Sequence, residues 1–257
     1  MAGKSTTGKS FAGKIRVGIG GWTFDEWRDG AFYPEGLTQK KELAYAASVL
    51  TSIEINGTYY STFKPESWAK WRSETPDGFV FSVKASRYST NRRVLGDGNE
   101  SITKFLAQGL EELGDRLGPI NWQFMGTKKF DPVDFEAFLK LLPKKVEGII
   151  VRHALEVRSP TFKDQRFYDL ARKYNAAIVF ADDEDFPEID EPAADFTYAR
   201  LMRTKANVKT GYAAPELDAW AKRAKAWAKR GDVFLYFISG AKVRAPAAAL
   251  ALIERLR

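Results

Sequence analysis

Short apolar runs recur along this sequence, each too short for a buried helix and each separated from the next by a segment with helical spacing. The first run is Ile15-Arg16-Val17-Gly18-Ile19-Gly20. Seven more cover 53–56, 79–84, 120–124, 148–152, 177–181, 196–201 and 233–238. Between them, Leu43, Ala46, Ala47 and Leu50 fall on one helical face, as do Ile102, Phe105, Leu106 and Leu110. Phe135, Phe138 and Leu139 mark another helix, with Asp131 as cap and Pro132 in its first turn. Strand and helix in regular alternation imply βα units and a parallel sheet. Eight units in 257 residues fit a single-domain α/β fold, a closed (β/α)8 TIM-type barrel over 15–257. An open doubly wound sheet is the alternative. The sixth unit should be irregular, because 182–194 is acidic and carries Pro187 and Pro192. That segment reads as a loop or one turn of helix.

Residues 1–14 are mostly Gly, Ser, Thr and Lys, with no apolar period, and read as a disordered basic tail. They contain Gly3-Lys4-Ser5-Thr6-Thr7-Gly8-Lys9-Ser10, which matches the phosphate-loop pattern letter for letter. That motif works between a buried strand and a helix. Here neither flank is present, and the match reads as chance.

Residue counts narrow the chemistry. Cysteine is absent and His153 is the single histidine. A zinc cluster wants several such ligands, so no metal site of that kind is expected, and nothing in the sequence demands a cofactor. A carboxylate site for magnesium or manganese stays open, with the run Asp182-Asp183-Glu184-Asp185 as its one candidate. The lack of cysteine fits a cytoplasmic protein. No run approaches the ~18 apolar residues of a membrane span. A net charge of +7 favours an anionic partner, from a small phosphate ester to nucleic acid. Oligomeric state is not readable.

At the residue level the chain resembles a known family. Gly20-Gly21-Trp22-Thr23-Phe24, Trp27 and Phe32-Tyr33-Pro34 are similar to the opening of the YecE-like family, also called domain of unknown function 72. The likeness continues through Glu54-Ile55-Asn56, Thr58-Tyr59-Tyr60, Thr75-Pro76 and Ser82-Val83-Lys84, and returns at Ala181-Asp182 and Arg200-Leu201. It implies a TIM-type barrel and no particular reaction. Four positions depart from the pattern: Ile150 where a Glu precedes the Arg of the fifth strand, Asn91 where the family has His, Met202 where it has His, and Ile238 near the end of the last strand.

Parallel barrels put chemistry at the carboxyl ends of their strands, where the following loops open into a crevice. Polar residues at or just past those ends are therefore the candidates: Glu54, Asn56, Lys84, Gln123, Arg152, His153, Asp182 and Arg200. Lys84, Arg152 and Arg200 would hold an anion. Glu54 or His153 would move a proton. Trp22 and Tyr59 would stack on a sugar or base, or pack the loops against the barrel. The expectation is a small anionic ligand of phosphosugar or nucleotide type. A nucleic-acid-binding barrel is the second reading.

Overall fold

A computed structural model describes residues 13–257. Its elements in chain order are β1 (Ile15–Gly20), α1 (Glu42–Val49), β2 (Ser52–Ile55), α2 (Pro65–Ser73), β3 (Val80–Lys84), α3 (Arg87–Thr90), α4 (Asn99–Leu106) and β4 (Leu117–Gln123). Then come α5 (Pro132–Leu141), β5 (Lys145–Val146), β6 (Ile149–Ile150), β7 (His153–Glu156), α6 (Gln165–Lys173), β8 (Ala177–Ile178) and β9 (Phe180–Asp182). The chain closes with β10 (Phe196–Leu201), α7 (Ala214–Trp227), β11 (Asp232–Phe237) and α8 (Ala245–Leu256). The expected tail through residue 12, with its phosphate-loop pattern, lies outside the described residues. Gly13 and Lys14 do not continue a loose tail, because Gly13 N–H donates to Ala228 and Val233 N–H donates to the Lys14 carbonyl.

Among the described residues, nine parallel strands lie in the order β8-β7-β4-β3-β2-β1-β11-β10-β9. The two outermost members, β8 and β9, are consecutive in the chain with only Val179 between them. They are two pieces of one stave, which closes the sheet into an eight-stave barrel. Val179 N–H donates to the Leu155 carbonyl, keeping the interrupted stave attached to β7. The irregularity of the sixth unit is thus in its strand as well as after it, since 183–195 holds no helix or strand.

Alternation sorts the side chains into two cores. Ile53, Phe81, Trp122, Leu155 and Phe237 face the helices and join the main cluster with Leu43, Phe105 and Phe138. Val80, Ala154, Phe196, Tyr198, Phe234 and Tyr236 form a separate cluster inside the barrel. Helix starts behave as their sequences indicate. The Asp131 carboxylate accepts from Val133 and Asp134 N–H at 2.9 and 3.1 Å, with Pro132 at the first turn.

One element is displaced from its expected place. The apolar run 148–152 is not the fifth stave. Lys145–Val146 and Ile149–Ile150 pair antiparallel as a small hairpin outside the barrel, leaving Ile150 69% exposed. Glu147 and Gly148 form its two-residue turn with φ of +44° and +82°. Turns with both central residues at positive φ match the twist of a hairpin, and Gly adopts that geometry at no steric cost. The fifth stave is His153–Glu156, which pairs with β4 from Ile120↔His153 to Gln123↔Glu156.

Candidate functional site

The inward positions at the carboxyl ends of the strands carry one buried polar network. Arg200 on β10 is 2% exposed. Its Nη1 donates to Glu156 Oε2 at 2.6 Å and its Nη2 to Glu54 Oε1 at 3.1 Å. Glu54 also accepts from Tyr198 Oη at 2.5 Å. Asn121 Nδ2 donates to Glu156 at 3.0 Å and reaches Glu54 at 3.5 Å. The second Glu156 oxygen accepts from Arg158, at 3.0 Å from Nε and 2.8 Å from Nη2. Arg158 Nη2 also donates to Gln123 Oε1 at 2.8 Å. Interior ions persist when each is paired and hydrogen-bonded, and here both carboxylates are so held.

Burial divides the network by depth. Glu54, Asn121, Glu156 and Arg200 are buried, whereas Lys84 and Arg158 are only partly so and reach the mouth. Lys84 lies 4.6 Å over the Tyr59 ring and takes part in no ion pair among the described residues. Thr58 Oγ1 donates to the Lys84 carbonyl at 2.6 Å and Asn91 Nδ2 to Tyr59 Oη at 3.1 Å, so both the lysine backbone and the ring beneath it are fixed. Burial lowers the Lys84 ammonium to about 8, with Arg200 acting in the same direction and Glu156 and Glu54 opposing. Glu156 moves the other way. Burial alone would raise it, but Arg200, Arg158 and Lys84 together bring it down to about 2.

Of the residues singled out from sequence, Glu54, Lys84, Gln123 and Arg200 are brought together. Asn56 and Tyr59 stand beside them, Asn56 Nδ2 donating to the Glu54 carbonyl at 3.3 Å. Four others are elsewhere. Arg152 precedes β7 and meets Asp232, the first residue of β11, at 3.0 Å, which puts it at the amino end of the barrel. There it lies 4.7 Å over Phe234. His153 points outward under α5. Its Nδ1 accepts from Trp122 Nε1 at 3.0 Å and its Nε2 donates to the Pro143 carbonyl at 2.8 Å. With both nitrogens used in a neutral ring, and burial lowering it to about 4, His153 has no path to a substrate at the mouth. Asp182 shares parity with Phe180, which packs on Trp220 and Trp227 of α7. It therefore faces away from the barrel axis, accepting from Tyr212 Oη at 2.7 Å and pairing with Arg203 at 2.9 Å. Trp22 joins a loop cluster, edge-on to Trp71 at 5.2 Å, and its carbonyl accepts from Tyr33 Oη.

The residues that sequence reading missed are Asn121, Glu156, Arg158 and Tyr198. A usable signal existed in Glu156-Val157-Arg158. A Glu two residues before an Arg on a strand puts both on one face, and this is the spacing the family resemblance implies for the fifth strand. Ile150 lies in the hairpin outside the barrel and is not a position of the fifth stave. Among the described residues, no three Asp, Glu or His side chains converge as a metal ion would need. No helix there is long and apolar enough to cross a membrane.

Comparison with known proteins agrees with this architecture. The family model described as "Protein of unknown function DUF72" matches residues 16–257. The chain belongs to the DUF72 family. Its curated relative UPF0759 protein YecE of Escherichia coli strain K12 is 29% identical over 143 residues, 54% of this chain and 48% of that protein. The chain thus matches about half the length of the curated relative. A DUF72 family protein from Thermotoga maritima superposes with a TM-score of 0.77 at 23% identity, covering 95% of this chain and 99% of that one. Another from Enterococcus faecalis gives 0.73 at 17%, covering 94% and 95%. The 3-keto-D-glucoside 4-epimerase YcjR of Escherichia coli is similar at 0.52 and 14%, over 94% and 99%, a likeness of fold alone.

Proposed function

We propose that this DUF72 barrel binds a small anionic molecule, of phosphosugar or nucleotide-fragment type, at the carboxyl ends of its strands. The observation that carries the reading is the depth ordering of charge. Both carboxylates, Glu54 and Glu156, are sealed at 0% and 1% exposure, while the two groups reaching the surface, Lys84 and Arg158, are cations. Counting Lys84, Arg158 and Arg200 against Glu54 and Glu156 leaves three positive charges to two negative. Arg158 offers the planar donor fork that suits carboxylate and phosphate oxygens. Glu54 serves as scaffold here, since both its oxygens are occupied by Arg200 and Tyr198.

Calorimetric titration of the protein with sulfate tests this. Lys84→Ala should abolish measurable binding, and Arg158→Ala should weaken it by roughly tenfold, the scale of one charge-assisted hydrogen bond. Unchanged affinity in both variants would remove the site from the mouth.

A cleft lined by Arg92, Arg93, Lys128 and Lys129 beside Thr90 and Met125 favours a second reading, nucleic-acid binding. Salt separates the two. Contact with several phosphates weakens steeply with ionic strength, whereas a pocket-bound small anion responds mildly.

A further inference from the structure

Lys84 differs from the rest of the network in three respects. First, its ammonium is the one cation of the network without a carboxylate partner among the described residues, resting on the Tyr59 ring at 4.6 Å. Second, it is deep enough to lose hydration yet open to the mouth. Third, its cross-strand neighbour is Asn121, paired with it in the β3–β4 register. Asn121 turns its amide nitrogen toward Glu156 and Glu54 at 3.0 and 3.5 Å. That fixes which way the amide points, because carboxylates only accept. Its Oδ1 is consequently left buried with no partner among the described residues. A buried acceptor without a donor is costly and invites an N–H from a bound group.

We infer that Lys84 is a covalent amine, condensing with the aldehyde or ketone of a small anionic carbonyl compound to form an imine at the barrel mouth. The inference rests on the anion-site reading for its choice of ligand. In the step, neutral Nζ adds to the carbonyl carbon, forming the C–N bond and moving the carbonyl electron pair to oxygen. Two protons leave nitrogen for that oxygen, the C–O bond breaks, and water departs. Reprotonation of the imine nitrogen gives an iminium, formed on the strand pair where Lys84 stands beside Asn121 and its unpartnered Oδ1. Lysines used in this way are those kept partly neutral by desolvation and neighbouring cations. Lys84 has both, through burial and the nearby Arg200 and Arg158. No oxidant, reductant or metal enters the balance.

The test uses the full wild-type chain with cyanoborohydride, which reduces an iminium to a stable secondary amine. Glyceraldehyde 3-phosphate is the anionic probe and glyceraldehyde the neutral one, with peptide mass mapping at pH 8. The expected result is alkylation at Lys84 at least about tenfold faster than at any other lysine, following the larger fraction of neutral amine. The phosphorylated probe should react faster than the neutral one, sulfate should protect, and Lys84→Arg should lose the label. Equal labelling by both probes with no sulfate protection would uphold the imine and overturn the anion reading. Labelling spread evenly over surface lysines, with sulfate still binding by calorimetry, would overturn the imine and leave the anion reading standing.

Discussion

Arg200 Nη1 sits 2.6 Å from Glu156 Oε2, and the two side chains are 2% and 1% exposed. Removing one partner of a buried pair leaves the other charged and desolvated. Arg200→Met leaves Glu54 without an ion-pair partner among the described residues and Glu156 with Arg158 alone, so it should cost about 3–5 kcal/mol, the scale of a broken buried pair. Urea unfolding followed by circular dichroism reads this directly. A loss under about 1 kcal/mol would mean that water reaches these carboxylates and that the network is not sealed.

Lys84 gives the site a pH limit. Burial lowers its ammonium to about 8, against 10.5 for an ordinary lysine. Sulfate is the useful probe, because it does not titrate in this range. Its affinity should be steady near pH 7 and fall as pH rises through 8. Stability should move the opposite way. Between about 8 and 10.5 the unfolded chain binds the extra proton, so this group's contribution to stability rises with pH there. In Lys84→Arg the fall in affinity near pH 8 should vanish, since arginine stays protonated.

His153 predicts an acid effect unconnected with the site. Its folded ring is lowered to about 4 by burial, while an unfolded histidine titrates near 6.5. Between these values the unfolded state binds more protons, so the stability it contributes is complete above about 6.5 and lost as pH falls through 4. The size is on the order of 3 kcal/mol over that span. His153→Gln should flatten the stability profile between pH 6.5 and 4. A profile as steep as wild type in that window would locate the acid sensitivity elsewhere, in Glu156 for example, whose own window lies between 4.5 and about 2.

The barrel was legible because its strands bury both faces and read as apolar runs. The apolar runs Phe196–Leu201 and Ile15–Gly20 are β10 and β1 with those same bounds. The fifth stave was misplaced because run 148–152 is more β-branched than His153-Ala154-Leu155-Glu156, the segment the barrel uses. The competing signal was the Glu147-Gly148 pair, a two-residue hairpin turn flanked by Val146 and Ile149. Counted on 148–152, the strand end falls at Arg152 and His153; counted on the stave the barrel uses, it falls at Glu156, with Arg158 just past it. Asp182 went wrong by parity. Ala177 and Val179 face the barrel interior and Ile178 and Phe180 the helices, so unbroken alternation carries Asp182 outward although it ends the strand.

Two glycines offer the same substitution with different physical consequences. Gly148 has φ +82°, and an added Cβ would meet nothing within 4 Å. Gly148→Ala therefore carries only left-handed backbone strain, about 1–2 kcal/mol. It should leave sulfate binding at the mouth unchanged, because the hairpin lies outside the barrel. Gly18 on β1 has an ordinary φ, but a Cβ there would stand 1.9 Å from the Ser52 carbonyl oxygen. Gly18 pairs with Ser52 in the β1–β2 register, two residues below Gly20↔Glu54. Gly18→Ala must push those strands apart at the level of the Ser52–Tyr236 hydrogen bond, 2.7 Å long, directly beneath the carboxylate layer. It should cost more than about 4 kcal/mol, a size that overpacking against backbone can reach. Sulfate binding should weaken too, since Glu54 shifts with β2. Thermal unfolding of both variants beside wild type decides it: if Gly18→Ala melts no lower than Gly148→Ala, the close approach of β1 and β2 is not the constraint described.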